Sequence, residues 1–259
     1  MLMLFLLISG AIFSAYQMYN MAAEYRAGEQ VYEQLQKDIL APPDVPTPVT
    51  ETLEYTSVPT TDPVELATIP ALNIPSVDFQ LLEEQNPDTV GWVYIENTNI
   101  NYPVVQGVDN RHYVSTLFDG SINQAGSIFM DFRNDSQIND IHTILYGHNM
   151  RNKTMFADIL NYHSQEYYDA HPVGIYITKD KTFAFEIVAG YVASVAESAW
   201  QLEFVTEEDA DSWIQSAISR SSFQSRIDPQ VGDQYITLST CSYEFTDARF
   251  VLVGVLIEI

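Results

Sequence analysis

Apolar and polar positions alternate in this chain in ways that separate an N-terminal third from the rest. Residues 1–19 carry no charged side chain and run Leu-Met-Leu-Phe-Leu-Leu-Ile through Ala-Ile-Phe, about the length that crosses the hydrocarbon of a bilayer. This predicts a single-pass membrane anchor over residues 1–20. A cleavable signal peptide is the rival reading, since Ala11 and Ala15 are small. No Lys or Arg precedes the run, so its orientation is not set by flanking charge. Residues 24–40 then place Val31, Tyr32, Leu35 and Ile39 at helical spacing among charged and Gln positions, which predicts a short amphipathic stalk helix. Pro42-Pro43 ends it. Residues 41–75 hold eight prolines among Thr, Val, Asp and Glu, a composition suited to an extended spacer and not to a core. The stalk and linker therefore occupy residues 21–75, and a folded domain is expected over residues 76–259.

Within that domain the period shortens from helical to strand-like. Ser76 or Asp78 caps a short helix carrying Phe79 and Leu82, stopped by Asn86-Pro87. Strands follow at 90–95, 101–106, 127–132, 143–146, 173–178, 183–194, 234–240 and 249–257. Two helical interruptions are predicted. Residues 154–168 include Met155, Phe156, Ile159 and Leu160. Residues 206–220 set Ala210, Trp213, Ile214, Ala217 and Ile218 on one face behind a Thr206-x-x-Asp209 capping pattern. Seven or eight strands with few helices between them indicate a mainly β barrel or sandwich.

Composition narrows the partners. At 46% apolar residues the chain can bury a substantial core, and a formal charge of -24 repels phosphate backbones, so nucleic acid is discounted. One cysteine forms no internal disulfide and builds no thiolate zinc cage, and no histidine pair has H-E-x-x-H spacing. No metal or cofactor is expected.

The lone cysteine lies in Thr237-Leu238-Ser239-Thr240-Cys241. Strand alternation puts Ile236 and Leu238 on one face and Thr237, Ser239 and Cys241 on the other, which suggests a groove beside small hydroxyls. A free cysteine is more often a small buried hydrophobe, and to act as a nucleophile it needs a nearby cation or base. Tyr146-Gly147-His148-Asn149 supplies His148 at a strand end, where Gly147 lets the backbone turn. His112, His142, His163 and His171 read as surface or packing residues. Arg249, inside Asp247-Ala248-Arg249-Phe250-Val251, offers a charged fork of donors beside the last strand.

The TLSTC string, the arginine eight residues later, and the Gly-His-Asn-Met run followed by Met155-Phe156-Ala157-Asp158 resemble class B sortases, membrane-anchored transpeptidases of Gram-positive bacteria. The similarity extends over about residues 74–259. It implies a closed eight-stranded sortase-type β-barrel with N-terminal helices and a long helix inserted before the penultimate strand. It implies Cys241 as nucleophile, His148 as acid and base, and Arg249 as oxyanion and substrate clamp. Ser239 and Thr240 resemble positions beside the nucleophile, and Tyr243 opens a loop expected to line the groove; these three are substrate-binding candidates. The implied substrates are surface proteins bearing a C-terminal sorting signal of Asn-Pro-x-Thr type, cleaved after Thr. The implied acceptor is an amine of a peptidoglycan precursor or a pilin lysine. A catalytic domain outside the cell, tethered to the membrane, completes that expectation. Two alternatives stay open on the residues alone: a cysteine peptidase that releases the acyl group to water, and a non-catalytic cell-surface binding module.

Overall fold

The computed structural model describes residues 2–40 and 72–259. Residues 41–71, the greater part of the proline-rich linker, lie outside the described residues.

Eight strands close into a barrel: β1 (Thr89–Tyr94), β2 (Asn101–Val105), β3 (Ile128–Met130), β4 (His142–Tyr146), β5 (Val173–Ile177), β6 (Thr182–Ser194), β7 (Gln234–Cys241) and β8 (Ala248–Glu258). Their spatial order is β1-β2-β3-β4-β7-β8-β6-β5, with β5 returning to β1. The pairs β2/β3 and β4/β7 are parallel and the others antiparallel. Closure leaves no exposed sheet edge, and along each strand successive side chains alternate between the inside and the outside of the barrel. Strands β6 and β8 are apolar on both faces because both are covered. On β6, Phe183, Phe185 and Ile187 join the barrel core, whereas Ala189, Tyr191 and Ala193 join a second apolar layer outside it. The register shift between Ile187 and Ala189 inserts one residue, which flips every later side chain to the opposite face.

That outer layer exists because helix α4 (Glu207–Ser219) lies over β6, β8 and β7, burying Ala210, Trp213, Ile214 and Ala217. Thr206 and Asp209 form the reciprocal capping box at its start, satisfying two backbone donors that the first turn leaves free. Helix α2 (Phe79–Gln85) is capped by Asp78, which accepts from the Leu81 N–H at 3.0 Å.

The segment 154–168 is not one helix. Met155 takes φ 58, its N–H donating to Tyr102 Oη at 3.0 Å, so a helix cannot begin before it. A run of 3-10 turns over Ala157–His163 follows, and Ser164, in extended conformation, starts the separate helix α3 (Gln165–Ala170).

Helix α1 runs unbroken from Leu2 to Ile39. The stretch expected as a stalk is packed on the barrel: Tyr32, Leu35 and Ile39 are buried in the core, Tyr32 Oη donates to Gly126 O at 2.7 Å, and Leu40 bridges to Val77. The single-pass anchor over residues 1–20, and the membrane localisation it implied, are corrected. Among the described residues, no helix is long and apolar enough to cross a membrane. Ser9, Gly10 and Ser14 dilute the apolar run, which gives way at Gln17 and Asn20 before the charges of Glu24 and Arg26.

Candidate active site

Cys241 is the last residue of β7, and Arg249 is its register partner on β8. Opposed residues of an antiparallel pair project their side chains to the same face, so the thiol and the guanidinium share one surface. Both are half-buried. Arg249 Nη1 donates to Ala248 O at 2.9 Å, and among the described residues no carboxylate pairs with it. Arg133, Arg220 and Arg226, by contrast, each meet an acidic partner.

His148 arrives from β4, which runs parallel to β7 with Tyr146 opposite Ser239. Beyond that pair the two strands remain laced together. Gly147 N–H donates to Ser239 O at 3.1 Å, Thr240 Oγ1 donates to Gly147 O at 2.7 Å, and Asn149 Nδ2 donates to Cys241 O at 3.1 Å. Gly147 is required because a Cβ there would overlap Ile128 and Phe156. The turn presents His148 half-buried beside the end of β7, with Nε2 2.7 Å from Val114 O. A carbonyl accepts only, so Nε2 carries a proton and Nδ1 is the nitrogen left for proton exchange.

Cys241, Arg249, His148, Ser239 and Thr240 line one groove of about 610 Å3. Its floor includes Tyr146 and Asn110, both held by Asp131: Tyr146 Oη and Asn110 Nδ2 donate to that carboxylate at 2.9 Å. Burial of Asp131 opposes its ionisation. The Arg133 ion pair and the surrounding donors outweigh it and hold the carboxyl below its ordinary range. One wall comes from residues 195–201, between β6 and α4. Trp200 of that wall donates from Nε1 to Ser239 Oγ at 3.2 Å, and Glu197 pairs with Arg220.

The sequence candidates thus divide. Ser239 and Thr240 reach the groove but are buried and engaged in these bonds. Tyr243 is 78% exposed and is not among the residues that line the groove; in the same loop Glu244 meets His163 at 3.5 Å. His142 is a packing residue, fully buried against Trp213, with its pKa pushed down to about 4 by burial. The wall at 195–201 escaped the sequence reading because it lies some forty residues from the cysteine and has no periodic signal. Trp200 in a polar segment was the one cue. A separate polar cavity of about 290 Å3 between α1 and the turn at Asn152–Met155 is lined by Glu29, Glu33 and Lys153 among others.

A thiol, an imidazole and an uncompensated guanidinium around one groove suit acyl transfer through a thioester. Residues 93–257 match the sortase domain, and the chain belongs to the sortase family, whose members are cysteine transpeptidases. Sortase B of Staphylococcus aureus is 32% identical over 183 residues, covering 70% of this chain and 75% of the relative. Sortase B of Listeria monocytogenes is 35% identical over 178 residues, covering 68% and 72%. The solved Staphylococcus aureus sortase B–substrate complex superposes with a TM-score of 0.67 at 32% identity, covering 70% of this chain and 85% of that one. The closed barrel with its helices is the sortase B fold, and the chain acts as a transpeptidase in cell-wall anchoring.

Proposed function

We propose that Cys241 is the nucleophile, His148 the acid and base, and Arg249 the oxyanion clamp of a transpeptidase that cleaves a sorting signal after Thr. The Cys241 thiolate forms a C–S bond to the Thr carbonyl carbon, and the carbonyl electrons move to oxygen. Arg249 and a backbone N–H stabilise that oxyanion. Collapse breaks the C–N bond, with His148 Nδ1–H protonating the departing amine. An amine of a peptidoglycan precursor, or a pilin lysine, then attacks the thioester; His148 takes its proton and Cys241 leaves as thiolate. The observation that carries this reading is Arg249, register partner of the chain's single cysteine, with no carboxylate partner among the described residues. An arginine so placed is free to meet a developing negative charge.

The test is mass spectrometry of the full chain incubated with an Asn-Pro-Gln-Thr-Asn peptide and triglycine, with Cys241→Ala alongside. A ligated product and an acyl adduct of the wild type only are expected. Hydrolysis undiminished by rising amine would make the protein a peptidase. No adduct, with Cys241 unlabelled by a methanethiosulfonate reagent in the native fold, would sink the assignment of the nucleophile.

A further inference from the structure

Beneath the groove wall lies a buried titratable group that the chemistry does not use. His142, at the start of β4, is fully buried. Its Nδ1 stands 2.7 Å from Gln201 O, and its Nε2 2.7 Å from Thr237 Oγ1 on β7. The ring packs at 4.4 Å on Trp213 of α4. The carbonyl of Gln201 can only accept, so Nδ1 carries the proton; Nε2 of the neutral ring then accepts from the Thr237 hydroxyl. The reverse tautomer would set the Nδ1 lone pair against a carbonyl oxygen. Gln201 belongs to the wall that bounds the groove. Two further ties of its 198–201 part are Trp213 Nε1–H to Ser198 O at 3.0 Å and Trp200 Nε1–H to Ser239 Oγ at 3.2 Å. Trp213 packs on His142 itself, and Ser239 lies two residues beyond Thr237 on the same face of β7, so all three ties converge on one small region.

We propose that His142 is a positioning residue for the sortase reaction: through the Thr237–His142–Gln201 chain it fixes the wall at residues 198–201 and so shapes the groove that receives the sorting signal. The inference rests on the reading that this groove binds that signal. His142 touches neither the thiol nor the acyl group. Its loss therefore weakens recognition of the peptide and leaves bond-making at Cys241 in place.

Two measurements on the full chain test this. In the first, long-range 15N–1H correlation of the wild type is expected to show His142 protonated at Nδ1 and bare at Nε2 at neutral pH. The opposite pattern overturns the proposal. In the second, His142→Asn is expected to raise the KM for the sorting peptide about tenfold, the scale of one lost buried hydrogen bond, with kcat little changed. The rate of Cys241 labelling by a methanethiosulfonate reagent is expected to be unaltered. Should that variant not fold, Thr237→Val removes only the hydroxyl and is expected to move KM in the same direction by less. An unchanged KM, or a fall in kcat alone, overturns the positioning role. Failure of the wild type to ligate the peptide would instead sink the functional reading, which keeps the two failures apart.

Discussion

At the scale of single residues, the site depends on groups whose geometry matters as much as their charge. Arg249→Lys keeps the cation and loses the fork. Its expected effect is a kcat lowered by about 10²–10³, the cost of removing an oxyanion donor, measured by peptide-to-triglycine ligation at saturating substrate. Thr240→Val is nearly isosteric but deletes the 2.7 Å bond to Gly147 O. Denaturant melts are expected to show a loss of about 1 kcal/mol, close to the worth of one such bond, and ligation is expected to fall further because the turn carrying His148 loses its tie. The strand alternation before Cys241 is readable in the sequence: Ile236 and Leu238 do enter the core, and Ser239 and Cys241 do face the groove. Thr237 shares that face but lies buried under α4, bonded to His142. Periodicity assigns a face; it does not say what covers it.

At the scale of elements, the strands and α4 are visible in sequence because each has one face that must be apolar and ends marked by caps or turns. The segment at 154–168 is misread because apolar spacing alone cannot reveal the left-handed conformation of Met155 or the break at Ser164. Helix α1 is the larger correction. Its second half buries Tyr32, Leu35 and Ile39, side chains each worth roughly 1.5–3 kcal/mol when withdrawn from water. Deleting residues 1–71 is accordingly expected to destabilise the barrel by on the order of 5 kcal/mol, seen as a lower denaturation midpoint than that of the full chain. An unchanged midpoint would mean that the helix is no part of the cooperative unit. At the other end of the fold, Thr206→Ala removes half of the α4 capping box and is expected to cost about 1 kcal/mol.

At the scale of the whole molecule, charge and burial set the response to pH. His142 titrates near 6.5 when unfolded and near 4 in the fold; burial is the main cause, opposed by the hydrogen bond to Gln201 and by Asp131 and Asp140. The unfolded chain therefore binds a proton that the folded chain refuses. The stability His142 contributes is complete above pH 6.5 and fades as pH falls, by about 2 kcal/mol between pH 6.5 and 5. Melts across that window check the sign, since most carboxylates are still ionised there. The amino-acid sequence by itself determined seven or eight β-type runs, the apolar face of α4, the absence of an internal disulfide and the identity of the candidates Cys241, His148 and Arg249. Those properties reside in local period, residue type and chemical identity along the chain. Only the tertiary structure decided that α1 docks on the barrel, that Tyr243 is left exposed, that residues 195–201 form the groove wall, and that His142 supports it. Each of these depends on contacts between segments tens of residues apart, and such contacts are fixed by barrel closure and register, which no local pattern encodes.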